Sequence, residues 1–181
     1  LMKILVGAAH PDDEVLGCGG TLARHAHQGD IVQCLFLADG VGARDALDNS
    51  VLDTRMEAAA KAAGILGCRV PQHLNLPDNR LDSLPLLVLV QAVEKHIAAF
   101  RPERIYTHHH GDLNVDHRLA HEAVLTACRP LAGRSVREIY TFETLSSTEW
   151  SGPRQDRNFL PNHFENIAKF VDIKLAALEA Y

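Results

Sequence analysis

The 181-residue sequence has little positive charge, no long apolar run and no closely spaced pair of cysteines. Its formal net charge is −5, so the composition provides no basic surface for nucleic acid. The longest apolar stretch, residues 84–90, is far too short to span a membrane. No signal-peptide pattern precedes the first apolar run. We therefore expect a cytoplasmic protein that neither spans a membrane nor binds nucleic acid.

The four cysteines show no C-x-x-C spacing, which argues against a cysteine zinc site. They are Cys18, Cys34, Cys68 and Cys128. Cys34 lies within the apolar run 31–38, where an unpaired thiol behaves as a small hydrophobic side chain. We interpret all four as buried free thiols, which is consistent with a reducing cytosol.

Apolar runs typical of buried strands alternate with helical segments along the whole chain. We predict strands at 3–8, 31–38, 72–76, 104–108 and 138–142, and helices at 14–28, 53–66, 84–100, 116–128 and 174–180. Such alternation indicates βαβ units with right-handed crossovers. A length of 181 residues with 46% hydrophobic residues suits one domain over residues 1–181. The predicted fold class is α/β: a single-domain, Rossmann-like three-layer sandwich with a mostly parallel sheet.

Two segments outside the predicted strands have a simple structural interpretation. Gly17, Gly19 and Gly20 follow the first strand but do not form G-x-G-x-x-G, so we predict that they permit close packing of the first helix on the sheet. Residues 146–158 are polar and are predicted to form a long surface loop near the rim of the ligand site.

The most informative segment is Ala-His-Pro-Asp-Asp-Glu at residues 9–14, between the first predicted strand and helix. Open α/β sheets bind ligands at the carboxyl ends of their strands. Carboxylates are also favoured at helix N-termini, so Asp12, Asp13 and Glu14 could simply cap the helix. Capping needs one such residue, however, and not three acids preceded by His-Pro. The pattern therefore favours a metal site.

A second polar cluster, His-His-His-Gly-Asp-Leu-Asn-Val-Asp-His, follows the fourth strand and ends at His117. Catalytic zinc takes three protein ligands of nitrogen or oxygen type and keeps one position open. His10 and Asp13 supply two such ligands from the first segment, and His117 supplies a third from the second. The tandem histidines at 108–110 cannot all face one way on an extended chain, so one or two of them are candidates to line the site.

A competing pair of ligands is His117 and His121, which lie at i and i+4 on one predicted helix. H-E-x-x-H zinc proteases use this spacing, but Arg118 stands where their catalytic Glu is required. We therefore interpret His121 as a partly buried helix residue.

Together, A-H-P-D-D-E and the downstream D-x-N-x-D-H resemble the LmbE-like, or PIG-L, family of zinc-dependent N-deacetylases over nearly the whole chain. Members remove acetyl groups from N-acetylglucosamine-type amino sugars and their conjugates. The resemblance implies zinc, or another divalent metal, on His10, Asp13 and His117. It makes Asp12 the general base, and Asp116 an acid that supports the active-site histidine of the second motif.

One position departs from the better-studied members, which have H-P-D-H in the second motif. Here that stretch is Asn-Val-Asp-His, so Asn114 replaces a histidine thought to stabilise the transition state or to protonate the leaving amine. An amide can donate a hydrogen bond to an oxyanion but cannot transfer a proton near neutral pH. We predict Asn114 as an oxyanion donor and Asp12 as the residue that accepts and returns the proton.

Substrate contacts are implied at two further positions. In the family, an Arg at the start of the second helix and an acid after the third strand touch the sugar; Arg55 and Asp78 match them. Arg55 could instead be a solvated helix residue, and turn chemistry alone could account for Pro-Asp at 77–78. The expected partner is a small amino-sugar substrate, and a homo-oligomer is possible.

The sequence thus predicts hydrolysis of an N-acetyl amide by metal-activated water. One alternative is a metal-dependent hydratase of an unsaturated acid on the same fold, which would need several basic residues near the metal. The sequence offers chiefly Arg55 and Arg80 there. The other is a non-catalytic metal-binding module. Asp12 argues against it, because a carboxylate not needed for coordination implies acid/base work.

Overall fold

The computed structural model describes residues 1–42, 49–152 and 155–181. Within these ranges one sheet is formed by five strands: β1 Lys3–Ala8, β2 Ile31–Ala38, β3 Gln72–Leu76, β4 Arg104–His108 and β5 Glu138–Phe142. The strand order is β3-β2-β1-β4-β5, and every neighbouring pair is parallel. The predicted α/β class is confirmed, and the described sheet is parallel throughout.

The helices are α1 Asp13–His27, α2 Asn49–Leu66, α3 Leu86–Phe100, α4 Val115–Ala127 and α5 Val171–Leu178. Each predicted helix is present, with ends that differ by a few residues. The predicted start of α3 at residue 84 was wrong for a local reason. Leu84 precedes a proline and is extended (φ −105°, ψ 144°), as steric contact with a proline ring favours, so the helix begins at Leu86.

The sheet is the middle of three layers, with a separate hydrophobic core on each face. Alternate side chains of a strand point to opposite faces, so Ile4 and Val6 enter one core and Leu5 enters the other. The first core is covered by α1, α2 and α5, and the second by α3 and α4. The inner strands β1 and β2 are buried on both faces, which is why their sequences are nearly continuous apolar runs.

Close approach of α1 to its neighbours depends on glycine. A Cβ atom on Gly17 would lie 2.1 Å from the Phe142 ring on β5, and one on Gly20 would lie 2.7 Å from Ile167 Cδ1. Close helix-to-sheet packing is confirmed at Gly17. At Gly20 the neighbour is the segment before α5 rather than the sheet.

All four thiols are free, as predicted, but the prediction that all four are buried is wrong for two of them. Cys18 and Cys34 are buried, whereas Cys68 and Cys128 are only partly buried. Burial raises the pKa of the Cys34 thiol well above its usual value, so this thiol stays protonated and unreactive. In the described part of the chain, no helix has the length and apolar character required to cross a bilayer.

The strand order reverses beside β1, since β2 and β3 lie to one side of it and β4 and β5 to the other. Such a switch point opens a crevice at the carboxyl ends of the two central strands. Residues 9–14 follow β1, and residues 109–117 follow β4. The topology therefore brings both polar segments to the same crevice.

Candidate metal and catalytic site

His10, Asp13 and His117 meet in this crevice. Asp13, in the first turn of α1, has its Oδ2 atom 3.3 Å from His10 Nδ1 and 3.3 Å from His117 Nε2. Asp13 and His117 are buried, and the candidate ligand atoms of all three lie within 4.8 Å of one another. His121 faces elsewhere, because its Nδ1 donates to the His108 carbonyl at 2.8 Å. The structure thus brings together the three side chains predicted as ligands.

Two further acids lie on the other side of the His10 ring. Its Nε2 atom is 3.1 Å from both Asp78 Oδ1 and Asp116 Oδ2, and these three side chains form a second group able to hold a cation. The buried Asp116 carboxylate also accepts backbone N–H groups from Asn79 at 2.7 Å and Leu81 at 3.1 Å. Asp116 therefore fixes the loop after β3 against α4, and it contacts the histidine of the first motif.

The charge balance of the cluster suits a bound cation. Burial lowers the pKa of His10, but the carboxylates of Asp116, Asp13 and Asp78 outweigh burial and raise it to about 12. Burial also lowers the pKa of His117, and Asp13 is the main group that raises it, to about 9. Carboxylates thus outnumber the imidazoles and hold protons on them. Nitrogen and oxygen donors of this kind fit a divalent metal such as zinc in place of those protons.

Asp112 is a site residue to which sequence reasoning assigned no role. Its Oδ1 atom lies 3.2 Å from His117 Nδ1, a buried ring nitrogen that has no well-aligned hydrogen bond. The Asp112 carboxylate accepts the hydroxyls of Ser147 at 2.5 Å and Thr148 at 2.6 Å, and the backbone N–H of Asn114 at 2.8 Å. A carboxylate behind a ligating histidine fixes the ring orientation. The signal was available, since Asp112 opens the D-x-N-x-D-H motif.

The same contacts correct the prediction for residues 146–158. A 3₁₀ turn spans Thr148–Ser151, and Thr148 is buried under the site rather than exposed in a surface loop. Residues 153 and 154 lie outside the described residues.

Of the three tandem histidines at 108–110, His108 is the one that packs against a candidate metal ligand. His108 is fully buried and stacks on His117 with 4.0 Å between ring centroids. Its Nε2 accepts the Ala9 N–H at 2.9 Å, while Nδ1 faces Thr144 Oγ1 at 3.3 Å. Burial lowers the pKa of His108 to about 4, so the ring is neutral and braces its stacked neighbour.

His109 and His110 point away from the crevice. Their Nε2 atoms donate to the backbone carbonyls of Arg157 and Asp156, each at 2.9 Å. A Cβ atom on the adjacent Gly111 would lie 2.2 Å from the same Arg157 carbonyl oxygen. These residues thus hold the 155–158 segment closely against the loop after β4.

Asp12 has an unusual backbone conformation, and its carboxylate does not cap α1. Its φ is 117° and ψ is −30°, a region that a non-glycine residue occupies at a cost on the order of 1–3 kcal/mol. It occupies the N-cap position of α1, yet its side chain makes no capping hydrogen bond. The capping interpretation is therefore wrong for Asp12.

The surroundings of the Asp12 carboxylate suit proton transfer. Its Oδ2 atom is 3.6 Å from Arg55 Nη1. Burial and the neighbouring Asp13 raise the pKa of Asp12, Arg55 opposes them, and the result is about 6. A general base works best when its pKa is near the operating pH.

The crevice opens as a cleft of about 390 Å³. It is lined by five residues singled out from the sequence: His10, Asp12, Arg55, Asp78 and Asn114. Arg55 is the one permanently cationic side chain among the described lining residues. A larger cavity of about 480 Å³ lies beside β5, but both metal-capable groups found among the described residues are at the crevice.

Asn114 caps α4 and also borders the cleft. Its Oδ1 accepts the backbone N–H of Asp116 at 2.8 Å, which leaves the amide Nδ2 facing Asn79 Oδ1 at 3.4 Å. The cap fixes the amide plane, so an N–H donor is held at the rim of the site.

Fold and site together define an α/β protein with a histidine–carboxylate centre at the sheet switch point. The family model described as "PIG-L: GlcNAc-PI de-N-acetylase" matches residues 5–128. An uncharacterised deacetylase of Escherichia coli K12, YaiS, is 34% identical over 184 residues, covering 98% of this chain and 89% of the relative. The chain belongs to the PIG-L family of deacetylases, which confirms the resemblance seen in the motifs.

Two solved structures share the fold. The N,N'-diacetylchitobiose deacetylase from Pyrococcus horikoshii has a TM-score of 0.79 at 21% identity, covering 99% of this chain and 69% of that one. GalB, the 4-carboxy-2-hydroxymuconate hydratase from Pseudomonas putida KT2440, has a TM-score of 0.78 at 24% identity, covering 99% and 78%. At these identities the fold alone is shared, and two reaction classes occur on it.

Proposed function

We propose that the protein is a zinc-dependent hydrolase that removes the N-acetyl group from an N-acetylglucosamine-type amino sugar or its conjugate. The observation that carries this proposal is the Asp12 carboxylate, which caps nothing and lies next to the His10, Asp13 and His117 group in an open cleft. A carboxylate base beside a set of three candidate metal ligands is the arrangement needed for amide hydrolysis by metal-activated water. Membership of a deacetylase family supports the acetamide as the reacting group.

His10, Asp13 and His117 would hold the metal. A zinc ion held there would supply Lewis-acid chemistry: it would make water more acidic and would polarise the carbonyl group of the substrate. Asp112 orients the His117 ring from behind, at 3.2 Å. His108 braces the opposite side of that ring by stacking.

The proton path follows from Asp12. Its carboxylate accepts a proton from the attacking water, and the water oxygen bonds to the acetamide carbon. Asn114 Nδ2 donates to the oxyanion that develops on the carbonyl oxygen. The C–N bond then breaks, Asp12 returns its proton to the leaving amine, and acetate and the free amino sugar are released.

We assign substrate binding to residues at the rim of the cleft. Arg55 and Asp78 line the cleft and are proposed to contact the sugar hydroxyls. Asp78 exposes only 6% of its surface and its Oδ1 atom lies 3.1 Å from His10 Nε2, so it is the less accessible of the two. Arg55 has 31% of its side chain exposed and forms the more accessible contact.

The hydratase alternative has less support from the site. Binding an unsaturated di- or tricarboxylate calls for several cations, and the described lining residues offer Arg55 alone, with Arg80 exposed outside the cleft. Arg55 is moreover already placed 3.6 Å from Asp12. A non-catalytic metal-binding module would not explain why Asp12 is held in a strained backbone conformation.

Acetate release tests the proposal directly. Zinc-loaded protein is incubated with N-acetylglucosamine, a nucleotide-linked N-acetylglucosamine and an N-acetylglucosaminyl glycolipid, and acetate is measured by mass spectrometry. We expect acetate from at least one substrate, none after chelation, and recovery when zinc is restored. An unsaturated carboxylic acid serves as the competing substrate. Its hydration without acetate release from any amide would overturn the proposal.

A further inference from the structure

Tyr181 follows α5 and reaches back to the first turn of α1. Its hydroxyl donates to Glu14 Oε1 at 2.7 Å, and the guanidinium carbon of Arg55 lies 5.9 Å from the centre of its ring. α5 packs against both α1 and α2, which brings the tyrosine between these helices. Tyr181 therefore contacts one residue on each side of Asp12.

Glu14 connects this hydroxyl to the strained peptide. Its carboxylate is buried, with 1% of the residue exposed, and Oε2 accepts the backbone N–H of Asp12 at 3.0 Å. Asp12 needs such a restraint because its φ of 117° is unfavourable for a side-chain-bearing residue. On the other side, Arg55 lies 3.6 Å from the Asp12 carboxylate. Tyr181 thus contacts both Glu14 and Arg55, and each of these two residues in turn contacts Asp12.

We propose that Tyr181 is a positioning residue for Asp12, acting through Glu14 on its backbone and through Arg55 on its carboxylate. This inference rests on the proposed function, in which Asp12 is the base. Without the hydroxyl, the buried Glu14 Oε1 loses its partner and the side chain is freer to turn. Asp12 can then relax from its strained conformation and carry its carboxylate away from the reacting atoms. A displacement of about 1 Å can lower turnover by about 10²-fold.

The test is Tyr181→Phe against the matched control Tyr140→Phe. Tyr140 lies on β5, stacked on Tyr106, and is not among the residues lining the cleft. We expect Tyr181→Phe to lower kcat by about 10-fold to 10²-fold, with KM within about twofold because the ring still faces Arg55. Zinc content should equal that of the wild type. Tyr181→Leu, which also removes the ring, should raise KM as well. A kcat for Tyr181→Phe equal to that of the control would overturn the inference.

A structural readout separates this inference from the proposed function. Crystal structures of the wild type and Tyr181→Phe give the Asp12 φ angle and the Arg55–Asp12 distance whether or not acetate is released. We expect φ to move out of the positive region, or the distance to lengthen, in the variant. If the wild type deacetylates nothing, the proposed function fails while this comparison still stands. If both quantities are unchanged, Tyr181 only docks α5, and the positioning role is wrong.

Discussion

Asp12 and Asp13 are neighbours in the chain with opposite electrostatic surroundings. Burial would raise the pKa of Asp13, but the histidines around it, among them His117, hold that pKa well below its usual value. The pKa of Asp12 is instead raised to about 6, first by burial and then by Asp13 itself. Asp13 is thus a permanent anion suited to a metal, and Asp12 is a carboxylate suited to proton transfer.

Substituting these two residues one at a time should separate the roles. Asp12→Asn keeps the shape but removes the base, so we expect turnover to fall by about 10²–10⁴-fold with zinc content unchanged. Asp13→Asn removes the anionic ligand, so zinc content itself should fall. Both are measured by elemental analysis beside acetate release. Equal zinc loss in the two variants would contradict this division.

Asn114 caps α4 and is the proposed oxyanion donor, and substitution can distinguish these two roles. Asn114→Ala removes the helix cap and the amide donor, so we expect about 1 kcal/mol lower stability and about 10²–10³-fold lower turnover. Asn114→Ser retains a capping oxygen but does not place an N–H donor facing Asn79, so turnover should fall with little change in melting temperature. Wild-type turnover in Asn114→Ser would show that the residue serves only as the cap of α4.

At the scale of elements, the site depends on a contact between the loop before α4 and the 3₁₀ turn Thr148–Ser151. We expect Asp112→Asn to weaken zinc affinity by about 10- to 100-fold, because the amide no longer holds the His117 ring with a full charge. Thr148→Val is the companion variant: it keeps the volume and removes one of several hydrogen bonds to Asp112, together with the acceptor of the Thr144 N–H. Chelator competition measures both. An Asp112→Asn affinity equal to wild type would exclude the orienting role.

Features that follow from local sequence patterns and strand positions were predictable, whereas contacts between loops far apart in the chain were not. Buried parallel strands are continuous apolar runs, and the positions of β1 and β4 sufficed to bring His10, Asp13 and His117 to one crevice. The contact of Thr148 with Asp112 joins residues 36 apart, and that of Tyr181 with Glu14 joins residues 167 apart. No local pattern encodes such contacts, because they depend on how loops and α5 dock after the sheet has formed.

At the scale of the whole molecule, metal binding should be linked to pH. Burial lowers and neighbouring carboxylates raise the pKa values of His10 and His117, so in the metal-free protein both rings carry protons at neutral pH. A metal must displace these protons, so its affinity should rise as the pH increases towards about 9, where His117 deprotonates. Calorimetry in two buffers of different protonation enthalpy counts the protons. Release of none at pH 7 would contradict the linkage.

The same shifts give the pH dependence of the metal-free fold. A pKa raised from 6.5 to about 9 in the folded state means that the His117 contribution to stability is complete below pH 6.5. It is lost as the pH rises through about 9. Thermal unfolding of chelated protein should therefore occur at lower temperature at pH 9 than at pH 6.5, and zinc should reverse that trend. A flat profile would show that the carboxylates do not retain the proton.

The proposed ligands come from the loop and first turn at the start of α1 and from the first turn of α4, and these helices pack on opposite faces of the sheet. An ion bound by residues at the starts of both helices would link the layers on the two faces of the sheet, each of which has its own core. Loss of the ion would remove this link, while β1 and β4 would stay paired through their backbone hydrogen bonds. The amides in the first turns of α1 and α4 and in the loops before them should then exchange with solvent before those of the paired central strands.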